Sequence, residues 1–363
     1  MRSRVIFALA LSMAACSSEP PPSDRAPAPA PPAAPSAPAA PRPPRLYVTD
    51  ETGGAVIVAD AASGQVVERI AVGKRPRGIR VSRDGALLFV ALSGSPIAGP
   101  GVDESKLPPA DRSADGIGVI DLATRKLTRT LKSGQDPESF DLSADGTLLY
   151  VSNEETAEMS VVDVASGAVT NRVKVGGEPE GVTLRPDGRE VYVTCEEDNE
   201  VFAVDTASLK VVGRMKTAAR PRSVVFTKDG ATAFVTDENA ASVTVIDTAK
   251  HAVSATIVIP KVEGAEFPPR PMGAVLSPDG RSVYVSLGRA KSIAVIDADT
   301  RKLSRKIEDV GGRPWGIAVS RDGRKVYTAN GPSADVSIVD LEGGKVERKI
   351  ATGGSPWGIV IVD

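Results

Sequence analysis

Histidine and cysteine are nearly missing from this 363-residue chain, which holds one histidine, His251, and two cysteines, Cys16 and Cys195. A multi-histidine metal site, a CxxCH haem attachment or a disulfide scaffold each needs more of these residues than that. Aromatic residues make up only 4%, with two tryptophans, and the net charge is −2. The composition therefore lacks both the basic field of a dedicated nucleic-acid protein and the long apolar runs of a polytopic membrane protein. Glycine and proline, in contrast, are plentiful, at 34 and 29 residues.

The N-terminus reads as an address. Arg2 and Arg4 precede an apolar run from Val5 to Ala15, too short to span a bilayer but suited to the apolar region of a secretory signal. The run ends in Met13-Ala14-Ala15-Cys16, which resembles a bacterial lipobox. That resemblance implies cleavage before Cys16, acylation of its sulfur and a lipid anchor in the cell envelope, periplasmic or at the outer membrane. Between Ser17 and Arg45, twelve of twenty-nine residues are proline and most others are Ala or Ser, so the stretch cannot bury a core and is expected to be an extended tether. The expected organisation is a signal over 1–15, a lipidated cysteine and tether over 16–45, and one folded domain over 46–363.

That domain repeats. The Asp-Gly dipeptide ends at Gly85, Gly146, Gly188, Gly230, Gly280 and Gly323, and an aspartate closes a Val-rich run at Asp60, Asp121, Asp163, Asp205, Asp247, Asp297 and Asp340. Each period holds four short apolar runs bounded by turn residues, which predicts four strands joined by hairpins. Runs such as Val-Thr-Val-Ile are apolar on both strand faces, so each sheet must be covered on both sides. A period near 42 residues with four strands predicts an all-β, seven-bladed β-propeller with four antiparallel strands per blade. The chain enters on a second strand, Leu46-Tyr47-Val48, and the last inner strand begins near Gly358. Three N-terminal strands and one C-terminal strand are therefore expected to share a blade and close the ring.

The Asp-Gly hairpins, Leu-Leu-Tyr-Val-Ser-Asn over 148–153, Val-Tyr-Val-Thr over 191–194 and the recurring Val-Ile-Asp resemble the YVTN family of propeller repeats across residues 46–363. The order Arg-Pro-Arg-Gly, Asp-Pro-Glu, Glu-Pro-Glu-Gly, Arg-Pro-Arg and, last, Pro-Trp-Gly is closest to the PQQ-dependent catabolism-associated β-propeller proteins. That likeness implies an extracytoplasmic protein accompanying a quinoprotein dehydrogenase system, and no particular activity.

Most repeated residues have structural explanations. Asp-Gly makes hairpin turns and the Val-Ile-Asp aspartates cap the next turn. Cys195 is expected to be a small buried residue, and His251 to lie in a turn on the face opposite the one of interest. Function is sought where the repeat breaks. The segment Ser93 to Gly116 contains an insertion of nineteen residues relative to the equivalent segment of the next blade, and Pro260 to Pro269 contains a second of about eight; propeller geometry puts both on one face. On that face one residue varies per blade, in the step just before each inner strand: Arg77, Glu138, Glu180, Arg222, Met272, Trp315 and Trp357. Paired charges beside two indoles suit a ligand or a protein partner at the channel mouth. The acidic loops nearby (Asp50-Glu51, Asn153-Glu154-Glu155, Glu196-Glu197-Asp198, Asp237-Glu238-Asn239) are expected to repel phosphates and draw a basic partner. No resident cofactor or metal is expected, since no loop has calcium-site spacing. The expectation is thus a lipid-anchored binding or scaffold propeller. The alternatives are a lactonase-like hydrolase using Glu and Arg at the mouth, and single-stranded DNA binding on the two tryptophans, against which the acidic rim argues.

Overall fold

The computed structural model describes residues 44–97, 103 and 106–362. The signal, Cys16, nearly all of the tether and part of the nineteen-residue insertion lie outside the described residues. Seven four-stranded antiparallel sheets account for the fold, each in sequential order except one. The exception, blade 1, joins Pro356–Val362 to Arg45–Asp50, Ala55–Asp60 and Val66–Ala71. Arg45 faces Val362 and Val48 faces Ile359 in that ladder, so the ring is closed by pairing the two ends of the domain. The chain is a seven-bladed propeller.

Blades 2 to 7 follow in order, with inner strands Pro76–Val81, Pro137–Leu142, Pro179–Leu184, Pro221–Phe226, Ala274–Leu276 and Pro314–Val319. Each of the seven inner strands touches the next around the axis, and the last touches the first. The apolar alternation explains how the blades stack. In blade 1, Ile57 and Ala59 pack with Tyr327 and Ile338 of blade 7, whereas Val56 and Val58 pack with Leu88 and Ile120 of blade 2. Successive side chains of one strand thus feed opposite blade junctions, which is why the runs show no polar alternation.

Turn chemistry is as the repeat requires. The six Asp-Gly glycines sit at φ between +70° and +82°, where a side chain would be strained, and Asp121 and Asp205 each accept a 2.7 Å bond from the backbone N–H three residues on. The inner strands begin two residues earlier than their glycines suggest, at the proline, in every blade but the sixth. A bulge after the proline, as between Pro179 and Val182, lets the strand continue through the variable position.

The candidate functional site at the channel mouth

The glycine or serine after each variable residue is set by close approach at the axis. A Cβ on Gly78, Gly181, Gly273, Gly316 or Gly358 would come within 3.0 Å of the carbonyl oxygen of the next blade's variable residue. Those carbonyls are fastened from the side. The hydroxyls of Thr49, Ser152, Thr194, Thr236 and Ser286 donate to the carbonyls of Arg77, Glu180, Arg222, Met272 and Trp315, at 2.8, 2.7, 3.0, 2.6 and 2.9 Å. Ala91 and Ala329 hold the same strand position in the other two blades. The Ser or Thr of the repeat therefore locks the backbone of the variable ring from blade to blade.

A cavity of about 120 Å³ opens on the axis, and Glu180, Arg222, Met272, Trp315 and Trp357 line it together with the inner-strand backbone. Trp315 and Trp357 stack, with ring centroids 5.6 Å apart and planes inclined by 19°. Both are half-buried. The guanidinium carbons of Arg222 and Arg313 lie 5.1 and 4.6 Å from the Trp315 ring, within cation–π range. Arg77 and Glu138 are not in that lining. They pair with each other beneath the blade 2 to blade 3 junction, 2% and 3% exposed. So five of the seven expected residues share one cavity, and the other two form a buried ion pair beside it.

Two charged nests flank the cavity. In the first, Arg77 contacts Asp136 at 2.5 Å, Glu138, and Glu154 at 3.7 Å. The carboxylates of Asp136, Glu138 and Glu154 lie close enough together to hold a metal ion, but the Arg77 guanidinium already sits against all three and supplies the positive charge. In the second nest Arg222 contacts Glu180 at 2.7 Å, Glu196, and Glu238 at 2.8 Å. Arg220 adds 2.7 and 3.3 Å contacts to Glu196 and Glu238, and Arg270 one of 3.2 Å to Glu238. Burial, with Glu180 beside it, pushes the Glu196 carboxyl up to about 9. Burial pushes Glu154 up to about 7, the Arg77 charge only partly opposing it. Asp237, buried against Ser242 and Thr244, rises to about 6.

The acidic loops are therefore only partly a solvated rim: Glu196 and Glu238 are 5% and 4% exposed and lie against the arginines, whereas Glu155, Glu197 and Asp198 are exposed. The role of Glu196 and Glu238 as partners went unread because the contacts of Glu196 with Arg220 and Arg222, and of Glu238 with Arg270, cross from one blade to the next. The available signal was a fixed offset, since Glu51, Glu154, Glu196 and Glu238 each stand four residues after the aromatic of a second strand, Tyr47, Tyr150, Tyr192 and Phe234. Both insertions reach this same face. Lys74 meets Asp111 at 2.8 Å and Arg112 meets Glu155 at 2.8 Å; the second pair borders a larger cavity of about 500 Å³ lined by Pro96, Leu107, Arg112, Glu154 and Glu155 among others. Phe267 of the other insertion carries the Arg289 guanidinium, 5.7 Å from its ring. His251 lies at the far end of the strands, 3.1 Å from Glu190, and Cys195 is fully buried, its thiol pushed up to about 12 by burial.

Comparison with known proteins agrees with this architecture. A YNCE-like β-propeller model matches residues 183–363, and a choice-of-anchor I domain model matches residues 45–213. The chain is a β-propeller protein. No protein of curated function matches the sequence. Among solved structures, the propeller is similar to the periplasmic gluconolactonase of Pseudomonas aeruginosa, at 21% identity and TM-score 0.70, over 88% of this chain and 99% of that one. A Lactobacillus plantarum protein aligns at 18% identity and TM-score 0.71, over 88% and 99%. Hydrazine synthase of Kuenenia stuttgartiensis aligns at 22% identity and TM-score 0.63, over 78% and 88%. At these identities the likeness is one of fold.

Proposed function

We propose that this propeller is an exported, lipid-anchored binding protein that holds a small ring-shaped ligand against Trp315 and Trp357 at the channel mouth. One observation carries the reading: the chain's only two tryptophans stack, half-buried, on a cavity of about 120 Å³. An apolar cavity of roughly 150 Å³ takes a benzene ring, so the space suits one six-membered ring with its edge still open to the rim. Stacking is an inexpensive way to hold such a ring, because rigid indoles lose little freedom on binding. The ion-paired nests supply rigidity on either side. The resemblance of the ring motifs to PQQ-associated propellers supports an accessory role beside a quinoprotein dehydrogenase, with the lipid on Cys16 keeping the domain at the membrane.

A second reading, hydrolysis of a lactone, is favoured by Glu154. Its carboxyl titrates near 7 at the edge of the larger cavity, the range of a general base, and one structural neighbour is a gluconolactonase. One experiment separates the two. Tryptophan emission, which reports only this mouth, is titrated with sugar lactones, sugar acids and simple aromatic compounds while turnover is followed. Binding predicts saturable emission changes without turnover, weakened by on the order of tenfold in Trp315→Ala. Turnover that disappears in Glu154→Gln overturns binding in favour of catalysis.

A further inference from the structure

Four arginines precede an inner-strand proline, and three of them follow a pairing rule that the fourth breaks. Each of the three meets the residue four places after the aromatic of the preceding blade's second strand. Arg75 meets Glu51 at 3.0 Å, Arg220 meets Glu196 at 2.7 Å and Arg270 meets Glu238 at 3.2 Å. For Arg313 the corresponding residue, four after Tyr284, is Gly288, and the next residue, where other blades carry Glu155, Glu197 or Asn239, is Arg289. The acidic step has become Gly-Arg. The short turn Gly288–Ala290 packs against the strand Pro314–Val319, so the two arginines belong to one corner of the rim. Among the described residues neither makes a hydrogen bond or an ion pair. Each instead lies over an aromatic ring, Arg313 on Trp315 and Arg289 on Phe267.

Two half-buried guanidinium groups without a counter-charge are costly in a protein that pairs nearly every other rim arginine. The cost shows in Arg313, whose guanidinium is destabilised by burial and by the charges of Arg222, Arg289 and Arg270, only Glu238 opposing them. Glu238 is itself taken up by Arg222, Arg220 and Arg270. What remains at this corner is a positive site beside the tryptophan pair.

We propose that Arg289 and Arg313 form an anion clamp at the edge of the channel mouth, which selects ligands carrying a carboxylate or a phosphate on the ring held at the tryptophan pair. Planar guanidinium forks match either oxyanion. The clamp rests on the ring-binding reading above and narrows its ligand to organic anions. It also gives the second insertion a task, since Phe267 holds Arg289 in place.

Iodide tests the clamp without knowledge of the ligand, because it is an anion that quenches indole fluorescence on contact and both indoles are here. Iodide quenching of the wild type should exceed that of the double variant R289Q/R313Q by about twofold or more. Neutral acrylamide should quench both proteins alike, and R313K should keep most of the iodide effect. Thermal midpoints should differ little, since no ion pair is lost. In parallel, benzoate and phenyl phosphate are compared with benzyl alcohol; the clamp predicts that at least one anion binds about tenfold more tightly and that the advantage vanishes in the double variant. The ratio of benzoate to phenyl phosphate tells which oxyanion is preferred. Equal iodide quenching in wild type and double variant overturns the clamp, and so does binding of benzyl alcohol as tight as that of both anions. If none of the three compounds binds, the ring-binding reading fails, while the iodide comparison still decides the clamp.

Discussion

A single guanidinium surrounded by three carboxylates is the unit from which this rim is built, and it decides how the protein responds to pH. Arg222, 8% exposed, loses hydration on burial but gains more from Glu180, Glu196 and Glu238, so its charge is held more firmly than in water. Acids in excess of the arginines behave differently. Glu154 binds its proton up to about pH 7, against an ordinary value of 4.5. A carboxyl raised in the folded state takes up a proton that the unfolded chain has released, so it favours folding below about 4.5 and loses that contribution as pH rises to 7. Glu196 and Asp237 act in the same direction. The turn aspartates have the opposite sign, Asp145 falling to about 2 through bonds from Ser143 and Thr147, and they weaken the fold only in stronger acid. Stability measured by urea unfolding should therefore peak near pH 5 and decline toward 7. In Glu154→Gln, whose amide cannot ionise, the decline between about 5 and 7 should flatten; an unchanged slope would show that Glu154 ionises freely in the folded protein.

Strands carry the information that the sequence displays best. The alternation of core residues, the Asp-Gly turns and the count of four strands per period were all legible, because each follows from local backbone chemistry repeated seven times. The variable ring was legible as a position, since it breaks a repeat at constant register, and Trp315 and Trp357 do line the cavity with Arg222. What could not be read was pairing between blades. Arg77 with Glu138, and Glu196 with Arg222, are residues on neighbouring sheets, and nothing local marks their contact. The hydroxyl clasp was hidden for the same reason: the Ser or Thr looks like an ordinary strand residue, yet its partner is the carbonyl of the following blade. Thr194 accepts from Gly181 N–H at 2.8 Å while donating to Arg222. Thr194→Val, of similar shape, should cost about 1–3 kcal/mol in urea unfolding, and Thr236→Val about the same. Neither change should alter the number of blades, and a cost near zero would mean that water replaces the clasp.

The ring as a whole is held by one seam. Pro356–Val362 is the only strand of its blade that comes from the far end of the domain, and Thr49 joins both Gly358 and Arg77 across it, accepting from Gly358 N–H at 2.7 Å. Every other blade is finished by residues close in sequence. Deleting residues 356–362 should abolish the cooperative thermal transition rather than shift it, because blades 1, 2 and 7 would lose a shared wall and two core clusters would open to water. Adding a peptide of the same sequence should restore part of the transition by strand addition. A deleted protein that melts as sharply as the full chain would show that the remaining blades close without the seam.

This seam also sets when the molecule can become itself. Because the clasping strand is contributed at the end of the domain, a ribosome must deliver the whole domain before blade 1 exists, and long-range pairing of this kind is slow. Until that strand arrives the ring stays open, and the channel mouth with its ring of variable residues is assembled last.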